Sequence, residues 1–347
     1  MTTTPPTPPT PRPPQGLHLT ARSPEDLLAM APVVLGFWPE DSVVMMTFGA
    51  LRPFHARLAL PPPDELDTCG LLEVEECLLG PAEAHGVQAV VLLYFTGDPE
   101  AAGLVHDALR EGCRARGIAM VVAVMADGAE YSVLGRDGEP GPRTSYDVTA
   151  HPFVVQAIVE GRIAHRTRAD MVASLELDPA VAAPVLDQLR EGGWDDTDPP
   201  TGARAVRRHG NWVAATVRRA VDTGELLRPA EVARLLWALQ VPRIRDAAWS
   251  VLDGPSAPRH VRFWTEVLRR TPDSRAAAPG VLLGLAAWRS GDGALAWAGV
   301  DRCRHADPDC RLAHFLSVLL EEAVPPDAWS GTVDWASGLP PAAGDPR

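Results

Sequence analysis

The spacing of apolar residues changes partway along the chain. Up to Leu134 they come in short continuous runs parted by amphipathic stretches, and beyond about residue 195 they recur only at helical spacing. The runs VVMMTF (43–48), VQAVVLLYF (87–95) and IAMVVAVM (118–125) are apolar at nearly every position, the pattern of strands covered on both faces. Between the last two lies TGDPEAAGLVHDALREGCRARG (96–117), which predicts a helix with Asp98 as cap and Pro99 at its first position. Strand, helix, strand in that order predicts two parallel neighbours joined by a right-handed crossover. FHARLALP (54–61) alternates after a Gly49-to-Pro53 connection and is expected to pair with 43–48 as a hairpin. ADGAEYSVL (126–134) places Asp127-Gly128 between apolar runs, a strong hairpin signal.

Helix signals flank this sheet pattern. SPEDLL (23–28) starts a helix: Ser23 can cap, Pro24 suits the first turn, and Glu25 and Asp26 favour the positive dipole end. Pro32 and Gly36 keep it short. The turn FWPEDS (37–42) follows, with Gly36, Pro39, Asp41 and Ser42 read as its structural residues; Asp41 and Ser42 are expected to hydrogen-bond their own turn. The acidic stretch 64–86 predicts a helix with Leu66, Leu72 and Leu79 inward. Residues 136–150 read as a loop, and helices resume at HPFVVQAIVEG (151–161) and RADMVASLEL (168–177). Later helices are expected near 204–222, 229–240, 242–253, 258–270, 275–290, 293–306 and 309–323.

These elements predict an α/β fold, a mixed sheet flanked by helices, followed by an all-α C-terminal domain for which a solenoid-like stack is one reading. Expected boundaries are a Thr/Pro-rich disordered tail over 1–15, an α/β domain over 16–195, an α-helical domain over 196–330 and a disordered tail over 331–347. Eight of the ten tryptophans fall in the helical half and read as core filler.

Composition narrows the chemistry. The net charge of -13 opposes binding to nucleic acid or an anionic membrane, so neither is expected as a partner. Lysine is absent: all 32 basic residues are arginine, which excludes a P-loop lysine or a Schiff-base lysine. The five cysteines form no C-x-x-C pair and read as reduced thiols. No run of 18 apolar residues occurs and the N-terminus lacks an apolar signal core, so the expected location is cytoplasmic. The histidines fall in no H-x-x-x-H pattern, so no metal is expected, and no cofactor is implied.

Thr96, Gly97 and Asp98 end a strand and open a helix, a place where ligands gather in open α/β sheets, with Asp127 and His151 as possible neighbours. Asp41 and Ser42 sit at the amino end of their strand and are assigned to structure. The arginine pairs 207/208, 218/219 and 269/270 make the early helical half locally basic and able to seat an acidic partner. Two readings follow: a non-enzymatic protein-interaction or regulatory module acting through the helical domain, or a small-molecule or nucleotide-binding enzyme with its site near Asp98. Oligomeric state is not indicated.

SPEDLLAMAPVVLGFWPEDSVVMMTF, followed by ARLALP, resembles the opening of an actinobacterial family known only as domain of unknown function 4192. The resemblance rests on Leu35, Gly36, Phe37, Pro39, Asp41 and Ser42, and it extends to HPFVVQAIVEGR and the helical half. It implies a bacterial cytoplasmic protein and brings no activity, cofactor or catalytic residue. Relatives often carry cysteines near the loop at 135–145, where GRDGEPGPRTS has none. Residues 291–308 also look like a single tetratricopeptide-type hairpin, through Gly291, Ala296, Val300, Cys303 and Pro308.

Overall fold

A computed structural model of the chain describes residues 20–135, 138–194, 197–329 and 333–340. The expected tail over 1–15 lies outside these residues, as does most of the one over 331–347. Residues 333–340 lie against the helical half. The Arg207 guanidinium sits 5.6 Å from the centre of the Trp335 ring, and Arg243 donates to the carbonyls of Trp335, at 2.7 Å, and Ser337.

Among the described residues six strands form one mixed sheet: β1 (Ser42–Phe48), β2 (His55–Ala59), β3 (Ala89–Phe95), β4 (Ala119–Ala126), β5 (Glu130–Val133) and β6 (Thr144–Ser145). Their spatial order is β2-β1-β3-β4-β5-β6. β3 and β4 are parallel, as the intervening helix predicts, and the other neighbours are antiparallel. The β1–β2 hairpin is closed by Thr47, whose hydroxyl donates to the Phe54 carbonyl at 2.8 Å and accepts from the Phe54 N–H at 2.9 Å.

Successive strand residues point to opposite faces, so each apolar run divides between two cores. Val43, Met45, Val90, Leu92 and Tyr94 face α2 (Thr68–Ala84) and α3 (Pro99–Arg116), which contribute Val74, Leu78, Leu79, Val105 and Leu109. Leu72 departs from the expected inward set at 58% exposed. Val74 and Leu78 take the buried stripe instead, one helical turn apart. Val44, Met46, Val91, Leu93 and Phe95 belong to the opposite cluster, with α1 (Pro24–Leu35) and α4 (Pro152–Val159). That cluster continues without a break through α5 (Arg168–Ala173) and α6 (Pro179–Glu191) into the helices of the C-terminal half.

That half consists of α7 (Ala203–Thr223), α8 (Pro229–Ala238), α9 (Pro242–Trp249), α10 (Ala257–Leu268), α11 (Ala277–Arg289), α12 (Gly293–Ala306) and α13 (Arg311–Glu321). Trp237, Trp264 and Trp288 are buried in its core. α11 and α12 form an antiparallel hairpin around Gly291, whose φ of 79° suits a residue without Cβ. The two backbones nearly touch: a Cβ on Gly299 would stand 2.6 Å from the Gly284 nitrogen and 2.8 Å from the Gly280 oxygen. Gly299→Ala is therefore expected to cost about 1–3 kcal/mol through overpacking, read as a lowered Tm; an unchanged Tm would mean the helices part freely.

His260 on α10 is 1% exposed and its Nδ1 has no hydrogen-bond partner among the described residues. Desolvation holds its pKa down at about 4. The unfolded chain takes up this proton near pH 6.5 and the folded chain does not. The associated stability is therefore complete above about pH 6.5 and lost as the pH falls to about 4, by up to about 3 kcal/mol. Chemical denaturation between pH 7 and 4 is expected to show this slope in the native chain and a flatter one in His260→Leu.

Candidate functional site

The strand directions decide which residues meet. β1 runs antiparallel to β3, with Ser42 opposite Phe95, so the amino end of β1 lies at the carboxyl edge of the parallel pair. The Pro-Glu-Asp-Ser turn, which strand order alone assigns elsewhere, therefore stands beside Thr96. The Thr96 hydroxyl donates to Asp41 Oδ1 at 3.2 Å and accepts the Asp98 N–H at 3.0 Å. Its own N–H donates to the Ala126 carbonyl of the neighbouring strand at 2.9 Å. Asp98 Oδ1 accepts from the N–H groups of Glu100 (3.0 Å) and Ala101 (3.1 Å), capping α3 as its sequence predicts. Gly97 is exposed with open space around it.

Asp41 bends the chain through its backbone. Its φ is 38°, a left-handed conformation that aspartate tolerates better than most residues, and its carbonyl accepts the Leu60 N–H at 2.9 Å. Ser42 departs from the expected turn-bonding role. It is the first residue of β1, fully buried, and its hydroxyl has no partner among the described residues. Gly36 ends α1 at φ 80°, and the turn after it is clasped by the segment following α4: Ala164 N–H donates to Gly36 at 3.3 Å and Trp38 N–H to Arg166 at 3.1 Å. Pro39 is buried. Nearby, Arg57 donates to the Glu40 carbonyl at 3.2 Å; burial and then Arg168 lower its pKa, while Asp41 opposes the shift.

Asp127 and His151 serve other turns. Asp127 follows β4, and its Oδ1 accepts from the N–H groups of Ala129 (3.0 Å) and Glu130 (2.8 Å) while Arg143 pairs with its second oxygen. Those backbone donors, ahead of Arg143, hold its carboxyl below the usual range. His151 caps α4, with Nδ1 accepting the Phe153 N–H at 3.3 Å, so Nε2 carries the proton and donates to Asp26 Oδ1 at 3.0 Å. Asp26 is also half of the capping box at Ser23.

The Thr96 hydroxyl, one Asp41 oxygen and one Asp98 oxygen at this edge thus orient backbone or a neighbour, while the Ser42 hydroxyl does neither among the described residues. Two surface grooves, of about 480 and 500 Å³, lie elsewhere: one is lined by Pro184, Asp187 and Arg228, the other by Leu175, Asp301 and His305. Among the described residues no group of three or more His, Cys, Asp or Glu could hold a metal ion, and no helix is long and apolar enough to cross a membrane.

The arginine pairs sort differently from their spacing. Arg219 is paired with Glu231 at 2.9 Å, Arg269 with Asp178 at 2.7 Å, and Arg270 is buried against the carbonyls of Leu227 and Glu266. Among the described residues Arg208 reaches only His209, at 3.5 Å. Across from it Arg234 of α8 lies over the Trp212 ring, 4.0 Å from its centre, and carries no carboxylate partner among the described residues. Burial, then the charge of Arg208, lowers the Arg234 pKa. Arg204, one turn before Arg208 on α7, is exposed. This cluster was only partly visible in the sequence: the 207/208 pair flags it, while nothing in the spacing reports that α8 brings Arg234 onto Trp212.

Thr96→Val removes both bonds of the hydroxyl and keeps the side-chain shape. The expected loss is about 1–2 kcal/mol, measured by denaturant titration. A loss below a few tenths would mean that Asp41 and Asp98 hold their turns without it.

Comparison with curated proteins and with solved structures returns no match. The sequence model of one family, described as a domain of unknown function (DUF4192), matches residues 24–327, from the first helix of the sheet half to the end of the helical half. The chain belongs to the DUF4192 family.

Proposed function

We propose that the protein is a non-enzymatic interaction module whose helical half docks an acidic segment of a protein partner on the face formed by Arg204 and Arg208 of α7 and Arg234 stacked on Trp212. The observation that carries this reading is the uncompensated charge. The chain has 45 acidic residues for 32 arginines, and Arg219, Arg269 and Arg270 of the other pairs are neutralised or engaged by its own groups, Arg218 being exposed. Guanidinium groups held apart from carboxylates, one of them flattened on an indole, match the chemistry of interface anchors. Planar guanidinium forks bind carboxylates in bidentate fashion, which favours Asp- and Glu-rich peptide. A nucleic-acid ligand would meet the overall charge of -13 and is the weaker fit.

The small-molecule reading near Thr96, Gly97 and Asp98 draws less support, because the Thr96 hydroxyl and an Asp98 oxygen are already bonded within the turn. A bacterial, cytoplasmic setting accompanies the interaction reading, as does a repeat-like role for the α11–α12 hairpin.

The test is a titration of the full chain with a fluorescent Glu/Asp-rich peptide, beside a single-stranded oligonucleotide of equal length. Arg208→Glu combined with Arg234→Glu is expected to weaken peptide binding at least about tenfold, equal to about 1.4 kcal/mol. Equal affinity in the variant, or tighter binding of the oligonucleotide by the native chain, would overturn the proposal.

A further inference from the structure

Cys303 lies in the last turn of α12 and Cys310 immediately precedes α13. Two backbone hydrogen bonds hold them together: Asp307 N–H donates to the Cys303 carbonyl at 2.8 Å and Cys310 N–H to the Asp307 carbonyl at 3.2 Å. Both side chains are buried. Cys310 stands at the N-cap of α13, and the Arg245 guanidinium of α9 approaches its sulfur, with Nη1 3.9 Å away. Helix N-termini and guanidinium groups favour thiolate over thiol.

The other thiols lack this setting. Cys113, on the buried face of α3, is pushed up to about 11 by desolvation. Cys77 is exposed, but burial of part of its surface and the carboxylates of Glu73, Glu321 and Glu76 raise it. Cys310 moves the opposite way, its pKa lowered first by the Cys303 hydrogen bond. Exposure and reactivity are thereby separated: the thiol poised as a nucleophile is one of the buried ones, and its immediate neighbour is a second cysteine.

We propose that Cys303 and Cys310 are a redox-active dithiol that reacts with hydroperoxide, Cys310 attacking and Cys303 resolving. In the first step the Cys310 thiolate attacks the distal peroxide oxygen. The S–O bond forms as the O–O bond breaks, the leaving oxygen takes a proton, and the products are Cys310 sulfenic acid and water or an alcohol. In the second step the Cys303 sulfur attacks the Cys310 sulfur. The S–S bond forms, the S–O bond breaks, and the Cys303 proton leaves with the hydroxyl as water. The two thiols lose two electrons and the peroxide gains them. Closure withdraws the Cys310 sulfur from Arg245 and from the start of α13, which joins the peroxide signal to the packing of the last helix.

The experiment uses the full chain carrying Cys69→Ser and Cys77→Ser, which removes both exposed thiols and leaves the buried pair native. After treatment with equimolar hydrogen peroxide at neutral pH, unfolding, alkylation and trypsin, the expected product is the peptide 303–304 joined to 305–311 by a disulfide. Cys303→Ala in that background is expected to stop at a sulfenic acid on Cys310, trapped by dimedone, and Arg245→Gln to slow the linkage severalfold with unchanged circular dichroism. Recovery of both cysteines alkylated after peroxide treatment would overturn the proposal. A dimedone adduct on Cys303 in the Cys310→Ala chain would overturn the assigned roles.

Discussion

Burial of both faces at the centre of the sheet, along β1 and β3, is the constraint on which the rest of the structure depends; β4, expected to be covered likewise, leaves Val121 65% exposed. A strand residue has no solvent side when helices cover both faces, so β1, β3 and much of β4 are apolar at consecutive positions and polar groups are confined to strand ends. Thr96, Asp98, Asp127 and Asp41 stand at those ends. There each has backbone N–H groups or a neighbouring hydroxyl within reach, and each is occupied in turning the chain. Carboxylates gathered at the edge of an α/β sheet invite a catalytic interpretation. Here each of them carries hydrogen bonds to backbone or to a neighbouring hydroxyl at the connections of the sheet.

The same constraint explains what the sequence made legible. The buried runs, the Ser23 cap, Asp98 followed by Pro99, and the Asp127-Gly128 turn are local signals, and each marks an element where the structure has one. Strand direction is not local. Nothing in VVMMTF records that it lies antiparallel beside β3, and the Asp41 to Thr96 contact follows from that orientation alone. Leu72 illustrates a second limit: a helix rich in leucines offers several stripes of similar hydrophobicity, and packing against α3 selects Val74 and Leu78.

The helical half shows a third limit, set by side chains from separate helices. Arginine pairs look alike in sequence, yet Arg269 is committed to Asp178, Arg270 to two carbonyls, and Arg208 to no acid among the described residues. Without lysine, every cation here is a planar fork, so stacking on Trp212 and Trp335 is open to all of them and only helix register decides which one uses it. The thiols follow the same logic. Cys303 and Cys310 look like ordinary buried cysteines until α9 brings Arg245 beside them.

The core cluster shared by the sheet and the late helices bears on how a ribosome delivers this protein. The α2/α3 side of the sheet has all its partners once residue 134 has emerged, whereas the opposite side shares its cluster with residues as far on as Leu316. At roughly 5–20 residues per second that side waits on the order of ten seconds or more for its remaining partners. A nascent chain in this interval displays oily surface beside a finished half-sandwich until the late helices arrive to cover it.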